Sequence, residues 1–473
     1  MSKSNKKITA FSLALMGFTC VWGFGNITNG FGYFGGTRVI LPWILVFVLY
    51  FMPYILMVGE LGATFKDKIG GVSSWIYETI GPKVAFFCGW IYWVVHMPYL
   101  SQKPSQVVTG INWVIFQNGS VSDYPVVTVQ LISLAILLVC LFIATRGIKA
   151  INKISALAGA SAFVMSILYI IMVWTAPAIT GANLNTIEFK IENFIPQDWT
   201  FLFSMSILIF GVGGGEKIAP YVNQIKNPGR KFPWAMTASM VMVVISAMLG
   251  TLAMGMMFDI NNIPSDFLTN GQYEAFQILG NYYGLGNFLM IVYAISNSLC
   301  FLSVLIISID APLRIMLGNA DKKYFPSKLF KTNKYGSYTR GVLIVGVIAS
   351  ILILLPCLGI GDVDALVKWL IKLNSVCMPI RYLFVFAAYI ALKLAIKKKF
   401  NSDYHFIKNK KLGIFVGSWC FFVTLICCII GMISDDPFML VMNIATPIVL
   451  VCLGFIMPAL AKRERKKLAT KQN

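Results

Sequence analysis

Lysine and arginine alternate with long apolar stretches along this 473-residue chain, and that alternation constrains its fold more than any single motif. Every second polar interval is basic. The basic ones are the N-terminal Lys3, Lys6 and Lys7, then Lys66–Lys83, Arg146–Lys153, Lys226–Lys231, Arg314–Arg340, Lys393–Lys411 and the tail Lys462–Lys471. Together they hold most of the 39 Lys and Arg. The intervening intervals carry acids instead, such as Asp123, Glu188, Asp259, Glu274, Asp362 and Asp435. Short loops rich in Lys and Arg stay on the cytoplasmic side during insertion, whereas acids contribute little to orientation. The pattern therefore predicts a multi-pass protein of the cell membrane with both termini in the cytoplasm.

Composition excludes the soluble alternatives. Hydrophobic residues make up 58% of the chain and charged ones only 12%, more apolar surface than a water-soluble domain can bury. A net charge of +20 would ordinarily raise nucleic acid as a partner. Here it sits in short loops beside membrane spans, where anionic lipid headgroups are the natural counter-charge, and no nucleic acid is expected. The ten cysteines include no CxxC pair, and most fall in apolar stretches, so no disulfide framework, metal site or cofactor is indicated. No cleavable signal is expected, because the first apolar stretch is long enough to span.

A helix needs roughly 20 apolar residues to cross a bilayer. By that measure twelve spans are expected, near 9–32, 38–63, 83–116, 124–145, 150–176, 199–225, 232–258, 284–317, 339–358, 363–392, 412–433 and 438–460. The third and eighth are long enough to require tilting. Two others are interrupted: the first by Gly23, Gly25 and Gly30, the sixth by Gly211, Gly213, Gly214 and Gly215. A broken helix frees backbone N–H and C=O groups, which is costly in lipid unless they line a cavity. Paired interruptions five spans apart point to a binding site between repeats. Close helix packing is the plainer reading of the same glycines.

The motifs resemble a known group. Gly59-Glu60-Leu61-Gly62-Ala63, Gly70-Gly71-Val72-Ser73-Ser74-Trp75 and Gly81-Pro82 resemble the loop after the second helix of the amino acid–polyamine–organocation superfamily. Phe210 through Glu216, with Asn227-Pro228-Gly229-Arg230 downstream, resembles its broken sixth helix. Pro312-Leu313-Arg314 and Phe325-Pro326 resemble the end of its eighth. Within the superfamily, the sequence is most similar to the glutamate:γ-aminobutyrate antiporters. The resemblance implies an all-α membrane protein of twelve helices with a LeuT-type 5+5 inverted repeat. Residues 1–8 would form a cytoplasmic tail, 9–176 the first repeat and 199–392 the second. Two further helices (412–460) and a basic tail (461–473) would follow.

The same resemblance implies where substrate binds. Its carboxylate would meet exposed N–H groups at Gly23-Phe24-Gly25, with Ile27 on the next turn. Phe210 would gate the site, with Gly211, Gly213 and Gly214 supplying unwound backbone. Tyr92 occupies a position that carries tyrosine in relatives, and His96 lies one turn on, on the same face. Lipid-facing, interfacial or core packing roles remain open for Phe210, Tyr92 and His96. Ser308 stands where related antiporters have tryptophan, which implies a larger or more polar pocket.

Charges inside spans are functional candidates because they are expensive there. Outside the basic loops stand Arg38, Lys103, Lys190, Lys217, Lys368, Lys372 and Arg381. Glu216 matches an acidic position of the family and is expected to pair with a basic group or hold the unwound backbone rather than touch substrate, and Arg381 to pair with an acid or bind carbonyls. Its neighbour Lys217 departs from the usual small residue. Lys372 would line the pocket and favour an anionic or neutral side chain, and Lys368, one turn earlier, would snorkel. Asp310 and Arg314 are spaced to pair within one helix. The fifth span lacks the lysine that couples protons in some relatives, which weakens proton symport and leaves exchange.

The expected activity is alternating-access amino acid transport, as an antiporter of an amino acid against an amine or another amino acid. A proton- or sodium-coupled permease and a channel are the alternatives. An enzyme is not expected, since neither HExxH nor GxSxG occurs. The substrate's identity, and whether the carrier is a monomer or a homodimer, are left open.

Overall fold

A helix exposed to lipid shows a narrow polar or small stripe on its packed side and an apolar remainder, the inverse of a helix in water. The chain does this repeatedly in a computed structural model that describes residues 8–34, 36–186, 199–264, 266–358, 376–396 and 399–470. The described residues form an all-helical structure. Ten of its helical stretches are long and apolar enough to cross a membrane.

In chain order the helices are α1 (Ala10–Val21), α2 (Gly25–Tyr33), α3 (Gly36–Thr64), α4 (Val72–Thr79), α5 (Pro82–Val94) and α6 (His96–Ile115). Then come α7 (Val126–Ala144), α8 (Ile148–Thr180), α9 (Trp199–Gly211), α10 (Pro228–Met257), α11 (Phe267–Tyr282) and α12 (Phe288–Leu317). The last are α13 (Thr339–Leu354), α14 (Ile380–Leu394), α15 (Lys410–Met432), α16 (Pro437–Leu453) and α17 (Ile456–Thr470). In α7 the buried residues are Ser133, Leu137, Cys140 and Ala144, one stripe at helical spacing, while Leu131, Leu138, Val139 and Phe142 are exposed. Only lipid tolerates that surface.

Prolines shape the long spans. Pro53 has no N–H to give to the carbonyl of Leu49, four residues back; α3 passes through a π-turn at Phe47–Phe51, and the Trp419 indole of α15 donates to the freed Leu49 oxygen at 2.9 Å. The expected third span divides at Val95 into α5 and α6, just ahead of Pro98. The expected sixth span is the short α9 followed by a 3-10 segment, Gly215–Gln224. The expected tenth is described only from its later part, as α14; its beginning, with Lys368 and Lys372, lies outside the described residues.

The interval between the seventh and eighth spans, read from sequence as an external loop, contains α11. It buries Phe267, Tyr273, Phe276 and Leu279, apolar positions at helical spacing.

The basic intervals meet on one face of the molecule. Lys66 pairs with Asp403 at 2.6 Å, Asn333 Nδ2 donates to the Thr145 carbonyl, and Arg465 donates to the Lys323 carbonyl. Ile8 N–H donates to the Gln224 carbonyl. Beneath that face Glu60 is buried and accepts from Lys393 Nζ (2.6 Å), Phe406 N–H (3.0 Å) and Tyr389 Oη (3.3 Å), with His405 Nδ1 at 3.2 Å. It thereby ties α3 to α14 and to the segment leading into α15.

Candidate substrate site

The two glycine-bearing breaks lie against each other. α1 ends at Val21 and α2 begins at Gly25, so residues 22–24 are outside regular helix. Asn26 on α2 donates to the Gly211 carbonyl at the end of α9, 3.1 Å away, joining the two broken elements. Helix termini leave N–H or C=O groups without intrahelical partners, and here four such termini converge.

Two of the glycines are required by space. Gly214 has φ +111°, a backbone disfavoured for side-chain-bearing residues, and a Cβ there would lie 2.6 Å from the Cys20 carbonyl. A Cβ on Gly213 would lie 2.0 Å from the Tyr382 hydroxyl. Around Gly23 there is no heavy atom within 4 Å of a built Cβ. Gly214→Val is therefore expected to lose at least about 3 kcal/mol, from backbone strain plus the clash, and to leave little folded protein by size-exclusion of detergent extracts. Gly23→Ala should fold normally, and its methyl group, projecting into open space beside the site, should raise KM.

The sixth-span break is held from behind. Tyr54 on α3 donates to Glu216, and the N–H groups of Gly214 and Glu216 donate back to its oxygen at 3.3 Å each. Tyr92 on α5 donates to the other Glu216 oxygen at 2.5 Å. Arg381 on α14 places Nε 3.3 Å from Glu216, donates to the Tyr382 hydroxyl at 2.7 Å, and has Nη1 2.7 Å from His96 Nε2. Both members of the Glu216–Arg381 pair are almost wholly buried. A buried ion pair needs this many hydrogen bonds to offset desolvation.

A cavity of about 330 Å³ opens beside the breaks, at the small end of the roughly 300–1,000 Å³ typical of small-molecule sites. Of the residues expected at the site, Gly23, Gly25, Phe210, Gly211, Gly213 and Lys217 line it. Phe24 does not: its ring packs into a cluster with Tyr169, Phe276 and Tyr293. Ile27 is buried, its side chain within 2.4 Å of where a Cβ on Gly250 would stand. Tyr92, His96, Gly214 and Glu216 stand behind the wall as just described, and Ser308 accepts from Lys217 Nζ at 3.3 Å. Lys372 lies outside the described residues.

Sequence reading had not placed Tyr99, Lys103, Gln272, Asn297 and Arg381 in the site, yet all line the cavity. Lys103 and Arg381 were visible as intramembrane charges; the i, i+4 pair Tyr99–Lys103 was the available signal for one face of α6. Among the described residues no aspartate or glutamate lines the cavity, and the cations that do are Lys103, Lys217 and Arg381. Lys103 bonds Gln106 Oε1 at 2.6 Å and lies 5.1 Å from the ring centre of Tyr99; Lys217 lies 4.7 Å from that same centre, on α6. With Arg381 satisfied by Glu216, the two lysines are left without a carboxylate among the described residues. Neither there nor elsewhere among those residues do three His, Cys, Asp or Glu gather as for a metal ion.

The profile of the amino acid permease family matches residues 8–453. An aspartate/glutamate permease of Lactococcus lactis subsp. cremoris, AcaP, is 48% identical over 475 residues, covering 98% of this chain and 97% of that protein. A glutamate/γ-aminobutyrate antiporter of Lactococcus lactis subsp. lactis is 24% identical over 378 residues, 77% of this chain and 72% of that one. A probable agmatine/putrescine antiporter from the same subspecies, AguD, is 22% identical over 400 residues, 83% and 81% of the two chains. This chain thus belongs to the amino acid permease family, within the amino acid–polyamine–organocation superfamily, and is a transporter rather than an enzyme.

Proposed function

We propose that the protein carries an acidic amino acid, aspartate or glutamate, across the cell membrane by alternating access, exchanging it for a related amino acid or amine. The observation that carries this reading is the cavity lined by Lys103, Lys217 and Arg381 and, among the described residues, by no acid. An acidic amino acid has one carboxylate for helix-terminal N–H groups and a second for the lysines, while its ammonium suits carbonyls at a helix C-terminus. The Gly25 N–H at the start of α2 stands for the first, the carbonyls ending α1 for the last, and Lys103 and Lys217 for the side-chain carboxylate. Phe210 covers the site as gate. A cationic substrate would meet repulsion from the same lysines. The 48% identical permease of aspartate and glutamate supports the substrate class, and the two antiporters support exchange.

The breaks at 22–24 and 212–214 support two inverted repeats over 9–176 and 199–392, with twelve spans in all. The shared face of the basic loops supports cytoplasmic termini.

Reconstituted liposomes loaded with unlabelled glutamate should take up labelled glutamate by counterflow, and liposomes loaded with lysine should not. Lys103→Met should weaken glutamate binding by about ten- to a hundredfold, as loss of a charge-assisted hydrogen bond of about 1.5–3 kcal/mol implies, and leave glutamine inhibition unchanged. Equal effects on glutamate and glutamine would remove Lys103 from side-chain recognition. Absence of glutamate and aspartate counterflow would end the acidic-substrate reading.

A further inference from the structure

We propose that Lys217 is a proton-carrying group: it is protonated when the acidic substrate occupies the cavity and gives its proton to water when the carrier returns empty. The inference rests on the acidic-substrate reading and adds the coupling ion to it.

Lys217 is 2% exposed and stands at the start of the 3-10 segment that follows the broken sixth span. Its ammonium has the Ser308 hydroxyl at 3.3 Å and the Tyr99 ring as its only partners among the described residues, both neutral. The charged and titratable groups acting on it are the neighbouring Glu216, Cys20 of α1, Lys103 of α6 and Arg381 of α14; it acts in turn on His96. Glu216 is already committed to Arg381, Tyr54 and Tyr92. Two cations, Lys103 and Arg381, therefore act on Lys217, with no free carboxylate among the described residues.

A cation so placed inside protein and lipid is costly. Two events relieve the cost: a carboxylate enters beside it, or the proton leaves. The substrate provides the first, and water reached through the cavity can accept the second. Lys103 is the weaker candidate, since it is half-buried and bonded to Gln106 at 2.6 Å, so it keeps its charge more cheaply.

The consequence is a carrier with two modes. In exchange, substrate is present on both half-cycles, Lys217 stays protonated and no net proton moves. In net uptake, one proton enters with each acidic substrate, because the empty carrier returns with a neutral amine. The amino acid's net negative charge and the proton then cross together.

The test uses the full chain in liposomes with an internal pH dye and labelled aspartate. Wild type should move about one proton per aspartate in net uptake, and internal acidification should slow net uptake at least tenfold more than it slows exchange. Lys217→Arg keeps the cation and Lys217→Met removes it; in both, whatever the residual rate, the proton-to-aspartate ratio should fall towards zero. Arg should also lose net uptake relative to exchange, because its empty carrier remains charged. A ratio near one in either variant would overturn the assignment. So would a wild type that takes up aspartate without protons, which would leave the acidic-substrate reading standing. A wild type that binds neither aspartate nor glutamate would overturn both.

Discussion

Arg381→Met should abolish transport and leave little folded protein. Arg381 is 2% exposed, and its removal strands the carboxylate of Glu216, itself completely buried, among Tyr54 and Tyr92. Breaking a buried pair in this way costs about 3–5 kcal/mol, since the remaining charge keeps its desolvation penalty and loses its compensation. The penalty belongs to the unpaired acid, so Glu216→Gln added to Arg381→Met should restore more than half of the lost thermal stability. Transport should not return, because Arg381 also lines the cavity. Thermal midpoints of the wild type, the two single variants and the double variant form a cycle that isolates the pair. A double variant no more stable than Arg381→Met would mean that the two charges are not coupled.

Glu60→Ala is the second large effect, and it should act on stability alone. Glu60 is 1% exposed and accepts from Lys393, Tyr389 and the Phe406 N–H, with His405 beside it. The alanine variant unties α3 from α14 and from residues 402–409. Lys393 is near the surface and can swing partly into water, so the cost should fall at the lower end, about 3 kcal/mol. The thermal midpoint in detergent should drop, while KM for glutamate in the surviving protein should be unchanged, since no residue of this cluster lines the cavity. A changed KM with an unchanged midpoint would assign Glu60 to the transport cycle instead.

Between them, these two clusters show where reading along the chain succeeds and where it stops. Glu216 was legible as an acid closing a glycine break, and Arg381 as a charge inside a span. Their union was not, because 165 residues separate them and no local pattern encodes which buried cation meets which buried acid. Gly23-Phe24-Gly25 was legible as a break, yet only the glycines line the cavity, while Phe24 turns into the cluster with Tyr169, Phe276 and Tyr293. Outside regular helix the 3.6-residue period that assigns faces no longer holds. α11 was missed for a different reason: its Asp266 and Glu274 flag a loop when charge alone is read, although Phe267, Tyr273, Phe276 and Leu279 bury against its neighbours.

By itself, the sequence determined that this chain lives in lipid, which of its loops share one face, where two helices must break, and to which family it belongs. These follow from one-dimensional quantities: the run length of apolar residues, the placement of Lys and Arg, and glycine where a backbone must unwind. Only the tertiary structure decided that Lys103 and Lys217 both approach the Tyr99 ring in one cavity, that Arg381 is occupied by Glu216, and that Tyr54 stitches the broken backbone. The physical reason is that a buried charge is defined by what surrounds it in three dimensions. Its partners come from helices far apart in sequence, brought within hydrogen-bonding distance only when the bundle packs.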